Sequence, residues 1–124
     1  SGADLTIAAC GHLVWEAIQA AVELAKDGIQ ADVLNVHTIK PLDEKTLVKS
    51  AQKTGHVLVA EEHQRAGGLG CSIAQALSSQ HPTPMAFVAV EDQFGESGTP
   101  AQLMKKYGLS AETIVVKAKG LLGR

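Results

Sequence analysis

Apolar and polar positions along the chain change period repeatedly. "DLTIAAC" (Asp4–Cys10) is a short apolar run that stops at Gly11, which predicts a strand. From Leu13 the spacing lengthens: Val14, Ile18, Ala21, Val22 and Ala25 fall at i, i+4, i+7, i+8 and i+11, the signature of one helix face. Lys26 in the last turn and Gly28 just beyond it suit a helix C-terminus. "ADVLNVHTI" (Ala31–Ile39) predicts the second strand. A helix then opens at Asp43, a good N-cap, with Glu44 in the first turn and Leu42 and Leu47 placed to form a hydrophobic staple. It ends at Gly55.

"HVLVAEE" (His56–Glu62) is apolar without alternation from Val57 to Ala60, as in a strand covered on both faces. Three glycines follow, Gly67, Gly68 and Gly70, read as a turn that leads into a helix over "CSIAQALSS". Pro82 and Pro84 bracket the next turn, and "MAFVAV" (Met85–Val90) is a second unbroken apolar strand. After an irregular loop, "EDQFGESG", the tetrad Thr99-Pro100-Ala101-Gln102 forms a capping box with proline at the first helical position. That helix is expected to stop at Gly108. A final helix, capped by Ser110, places Ile114, Ala118, Leu121 and Leu122 on one face. The predicted order is β-α-β-α-β-α-β-α-α, which builds a parallel sheet covered on both sides. Residues 1–124 read as one domain, without internal repeat or linker.

Composition narrows the functional classes. Apolar residues make up 45% of the 124 positions and aromatics only 3%, so the core must be aliphatic. The net charge of −2, with acids and bases interleaved, gives no basic stripe for nucleic acid. No apolar run approaches the ~20 residues of a membrane span, and no secretory signal is predicted. Cys10 and Cys71 have neither metal-ligand nor disulfide-framework spacing and read as free thiols of a reducing, cytoplasmic compartment.

Candidate chemistry gathers at the predicted carboxyl ends of the strands, where open α/β sheets hold ligands. That edge carries His12, His37–Lys40, Glu61–Arg65 and Glu91-Asp92. Glu62 and His63 can form a carboxylate–imidazole pair. Gly67, Gly68 and Gly70, with His63 and Arg65, can receive an anion at a helix start. Their spacing misses the dinucleotide fingerprint, and a close approach of helix to sheet explains the glycines equally. Neither a nucleophile elbow nor a histidine pair spaced for metal is present.

Several stretches together resemble a family. "TIKPLD" and "EEH…GGLG", in collinear order with "FGESG" and "KYGL", are similar to the C-terminal domain of transketolase-like, thiamine-diphosphate-dependent enzymes. The resemblance implies a three-layer α/β fold with a mostly parallel five-stranded sheet, one strand reversed. The fifth strand falls around Ala89–Gln93 or in the tail. It implies a parent enzyme that transfers a two-carbon ketol unit between sugar phosphates, using thiamine diphosphate and Mg held by other domains. The family's G-D-G…N metal motif is absent from this chain. The resemblance therefore assigns this chain no catalytic, cofactor-binding or metal-binding residue. Its implied role is to pack against the remaining transketolase domains or subunit and to support a homodimer. Glu62, His63, Arg65, Gly67, Gly68 and Gly70 are then an anion or domain-interface site. Related alternatives are a 2-oxo-acid dehydrogenase β subunit and deoxyxylulose-phosphate synthase; a different class is a free-standing anion- or nucleotide-binding regulatory module.

Overall fold

In the computed structural model, residues 4–9, 13–35, 44–62, 68–90 and 100–123 are described. Four strands alternate with four helices: β1 (Leu5–Ala9), α1 (Leu13–Lys26), β2 (Ala31–Asn35), α2 (Glu44–Thr54), β3 (Val57–Glu62), α3 (Gly68–Gln80), β4 (Met85–Val90) and α4 (Pro100–Leu122). The strands form one sheet in the order β2-β1-β3-β4. All three pairings are parallel, in register from Leu5 opposite Ala31, Thr6 opposite Val57 and Val57 opposite Met85. The chain steps from β1 to β2 on one side and then returns past β1 to β3 and β4. The covering helix changes face when the direction reverses, as a single crossover hand requires.

The sheet divides the core into two layers. Leu5, Ile7 and Ala9 of β1 and Leu58 and Ala60 of β3 pack with Leu13, Ala17, Ala20 and Leu24 of α1 and Ile114 and Ala118 of α4. Ala8, Val57 and Val59 pack on the other side with Leu47 and Ala51 of α2 and Ile73, Ala76 and Leu77 of α3. Strand alternation sends successive side chains to opposite faces, so β1 and β3 must be apolar at nearly every position. Each fully buried Leu or Ile contributes about 1.5–3 kcal/mol.

The structure departs from the sequence expectations at four points. First, α1 buries Leu13, Glu16, Ala17, Ala20 and Leu24, whereas Ile18 and Val22 face solvent. Both sets satisfy the helical period. The buried set includes Ala17 and Ala20, which let the helix lie close to the sheet. Second, α3 begins at Gly68, so Gly68 and Gly70 form its first turn rather than a turn before it. Third, the tail is one helix of 23 residues running through Gly108 and Ser110. A helical glycine costs only about 1 kcal/mol, and burial of Ile114 and Ala118 further along outweighs it. Fourth, four parallel strands are present among the described residues. Ala89 and Val90 belong to β4, the described tail is helical and residues 91–93 lie outside the described residues, so the expected fifth, reversed strand is not seen among the described residues. Residues 36–39 of the expected second strand, the caps Asp43 and Thr99 and the loop 91–98 lie outside the described residues.

Gly28 and Gly55 end α1 and α2 with φ of 79° and 77°, the left-handed conformation that a helix stop favours. Beyond α1, the Asp4 carboxylate accepts a 2.8 Å hydrogen bond from the Gln30 amide, and the Lys119 ammonium lies 2.6 Å from Asp27 Oδ2. These contacts fasten the start of β1 and the end of α4 to the same corner.

A polar network ties α2 to β1 and β2. Thr6 Oγ1 lies 2.6 Å from Ser50 Oγ and 2.8 Å from Thr54 Oγ1. Ser50 donates to Asp32 Oδ2 at 2.7 Å, and Lys53 Nζ lies 3.2 Å from the same oxygen. Since the one Ser50 proton goes to Asp32, Thr6 donates to Ser50, while the Thr54 hydroxyl also lies 3.1 Å from the carbonyl oxygens of Ser50 and His56, to which it can donate. Donation from Thr6 through Ser50 thus ends on a carboxylate, the arrangement in which hydrogen bonds strengthen one another. Partial burial acts to raise the Asp32 pKa, but the hydrogen bonds from Ser50 and Lys53 and the charge of Lys53 outweigh it. The carboxyl is held below the ordinary aspartate value.

Two outcomes are expected. Thr6→Val keeps the shape but leaves Ser50 without its donor, lowering unfolding free energy by about 1–3 kcal/mol in urea titration. A depressed carboxylate pKa stabilises the fold above the unfolded-state value and loses that contribution as pH falls through the folded-state value. Asp32→Asn is therefore less stable than the parent at pH 7. Thermal melts at a series of pH values should show the gap narrowing below about pH 4.

Candidate functional site

Parallel pairing puts all four strand carboxyl ends, Ala9, Asn35, Glu62 and Val90, on one edge. The amino ends of α1 to α4 follow those strands onto the same edge, with their unpaired backbone N–H groups. The connection reverses between β1 and β3, the switch point beside which open α/β sheets form a crevice. Ala9 and Ala60 are paired there, immediately before Glu61 and Glu62.

Two buried carboxylates mark this edge. Glu16, in the first turn of α1, is 1% exposed, and Glu61, near the end of β3, is 4% exposed. Both residues take part in a polar interaction. A carboxylate in a first helical turn also meets the positive end of the helix dipole. Alternation along β3 directs Glu61 to the side of Val57 and Val59, toward α2 and α3. Glu16 was not singled out from sequence; a lone acid inside an otherwise apolar helix start was the available signal.

Of the sequence-derived candidates, Glu62 is the last residue of β3, and Gly68 and Gly70 lie in the first turn of α3. His63, Arg65 and Gly67 lie outside the described residues, as do His12, His37 and Cys10. The end of β3 at Glu62 and the start of α3 at Gly68 both lie on the switch-point edge. His56 and His81 precede β3 and β4 and therefore sit at the opposite, amino edge, away from this crevice. Among the described residues, no three His, Cys, Asp or Glu side chains converge as a metal site. No described helix is long and apolar enough to cross a membrane.

The other open surface is a groove between α1 and α4 on one face of the domain, about 800 Å³, lined by Trp15, Ile18, Val22, Ala111, Val115 and Val116 among others. It lies along the helices rather than at the strand ends.

Comparison with known proteins agrees with these features. Residues 1–114 match the family model described as "Transketolase, C-terminal domain". The chain is 50% identical over 114 residues to a 6-deoxy-6-sulfo-D-fructose transketolase subunit of Clostridium sp., covering 92% of this chain and 35% of the relative. It is 40% identical over 113 residues to an apulose-4-phosphate transketolase subunit of Phocaeicola vulgatus, covering 91% and 36%. A solved structure described as "Split gene transketolase, inactive beta4 tetramer" superposes with a TM-score of 0.82 at 44% identity, over 99% of this chain and 40% of that one. The chain thus spans roughly a third of the length of these curated relatives.

Glu61 provides a test of the edge. Glu61→Ala strands the polar partner of a buried carboxylate and should lower unfolding free energy by about 1–3 kcal/mol, with Glu61→Gln recovering part of it. Equilibrium denaturation of both variants checks this.

Proposed function

We propose a function from one premise: the chain belongs to the transketolase C-terminal domain family. On this reading it is the C-terminal part of a transketolase subunit of the split type. The assembled enzyme transfers a two-carbon ketol unit between sugar phosphates. The observation that carries the reading is the 50% identity to a transketolase subunit along nearly the whole chain, with some two thirds of that subunit outside the match.

Thiamine diphosphate supplies the carbanion chemistry in such an enzyme, with Mg on its diphosphate. The residues of this chain do not fit as their holder. The sequence lacks a G-D-G…N metal motif, and two carboxylates at this edge, Glu16 of α1 and Glu61 of β3, are closed into the core. The chain's part in catalysis is therefore indirect: it packs against the remaining domains or subunit and holds them in place. Glu62, His63, Arg65, Gly67, Gly68 and Gly70 form the polar lip of the switch-point edge, where a neighbouring domain or an anion is received. We place the protein in the cytoplasm, where its two cysteines remain free thiols. Copies of it associate with one another, a reading supported by the tetramer of the related solved chain.

The native protein, assembled with its remaining domains and supplied with thiamine diphosphate and Mg, is expected to show ketol transfer between sugar phosphates in a coupled assay. The 124-residue chain alone is expected to show none. Absence of ketol transfer in the native assembly overturns the reading.

A further inference from the structure

Five large apolar side chains are exposed among the described residues: Trp15 at 60%, Ile18 at 44%, Val22 at 55%, Phe87 at 46% and Val116 at 69%. All but Phe87 line the groove between α1 and α4. Scattered exposed apolar residues are ordinary on a monomer, but a contiguous patch marks an interaction surface. α1 already buries one face on the sheet through Leu13, Ala17, Ala20 and Leu24. Its second apolar stripe, Trp15, Ile18 and Val22, is left facing the groove.

The charge of the groove has one sign. Two ionisable residues line it, Glu23 on α1 and Glu112 on α4, and both are acidic. No Lys or Arg is among the described residues that line it. Glu23 pairs with Lys26 at 3.0 Å, but both side chains are well exposed, and a pair of this kind is weak enough to be exchanged for a partner's cation.

We propose that this groove is a docking site for an amphipathic helix of a partner protein, one that carries apolar residues at i, i+3 or i+4 and i+7 and basic residues beside them. The proposal stands on the groove itself and does not depend on the functional reading above.

The shape fits a helix. Trp15, Ile18 and Val22 have i, i+3, i+7 spacing and span about 10 Å, two turns of α1. Val115 and Val116 of α4 form the apolar border opposite. A helix laid between the two borders sets its own apolar stripe into the trough, the usual way a groove takes a helix. The apolar side chains remain too exposed to enclose a small ligand, which buries most of its surface when bound.

The charge selects among occupants. A second copy would set Glu23 and Glu112 against the same acids. An anionic membrane surface or a nucleic acid would meet the same repulsion. Lys or Arg on the two flanks of a partner helix meets Glu23 on one side and Glu112 on the other, which orients the helix and speeds its docking.

The probe is a synthetic peptide of about four helical turns with Leu along one stripe, Lys beside it and no aromatic residue. The same peptide with Glu in place of Lys is the comparison. Binding to the native protein is read from the anisotropy of dye-labelled peptide. Binding to the 124-residue chain is also read from Trp15, its only tryptophan. The Lys peptide should bind both with Kd of about 10–100 μM and shift Trp15 emission to the blue. The Glu peptide should bind at least about tenfold more weakly, and added salt should narrow the difference. Val116→Lys should raise Kd for the Lys peptide roughly tenfold, and Phe87→Ser, outside the groove, should leave it unchanged. Glu112→Lys should weaken the Lys peptide and strengthen the Glu peptide, an exchange that a misfolded variant would not produce. Equal binding of the two peptides, or Lys-peptide binding that Val116→Lys and Glu112→Lys leave unchanged, overturns the proposal. Binding to the 124-residue chain without binding to the native protein also overturns it and assigns the groove to another part of the parent enzyme.

Discussion

The two central strands have helices on both faces, and most of the structure follows from that. β1 and β3 have no solvent side, so a polar group on either must find its partner within the protein. Leu5, Ile7, Ala8 and Ala9 meet the condition by being apolar, as do Val57 through Ala60. Thr6 meets it through hydrogen bonds to Ser50 and Thr54. That requirement recruits the polar side of α2, and Ser50 extends the network to Asp32 on the neighbouring strand. One buried hydroxyl thereby fixes how a helix and two strands meet.

The same constraint separates structural from functional chemistry. Polar residues that hold the fold gather at the amino edge, where Thr6, Asp32, Ser50 and Thr54 meet. The carboxyl edge collects helix starts, strand ends and the loops between them. Its buried carboxylates, Glu16 and Glu61, are closed off from solvent. The outward stripe of α1 has no role in either task, and its apolar character points outside the domain.

Much of the fold was legible in the sequence because unbroken apolar runs and intervening helical periods leave few arrangements open. The strands at Val57–Glu62 and Met85–Val90, and the glycine stops at Gly28 and Gly55, were readable from local signals alone. The buried face of α1 was not. Apolar residues occupy most of its circumference, and hydropathy cannot tell which stripe meets the sheet; Ala17 and Ala20 lie inward with Leu13 and Leu24, and Trp15 lies outward. The continuity of α4 was hidden for a similar reason, since a local break at Gly108 is outweighed by packing further along. The Thr6 network joins residues 44 and 48 positions apart, beyond the reach of any periodicity. At the candidate site, the sequence set "EEH…GGLG" between a strand and a helix; β3 ends at Glu62 and α3 begins at Gly68, so Gly68 and Gly70 belong to the helix.

The central claim is that this domain is a supporting part of a larger enzyme. The most direct test is the mass of the native polypeptide carrying the sequence, read by immunoblot of source extract with antibody raised to the domain. A split-type transketolase subunit predicts a band roughly three times heavier than the 12.9 kDa of this chain, in keeping with its coverage of 35% of a related subunit. A single band at 12.9 kDa would contradict the account, because the domain would then stand alone.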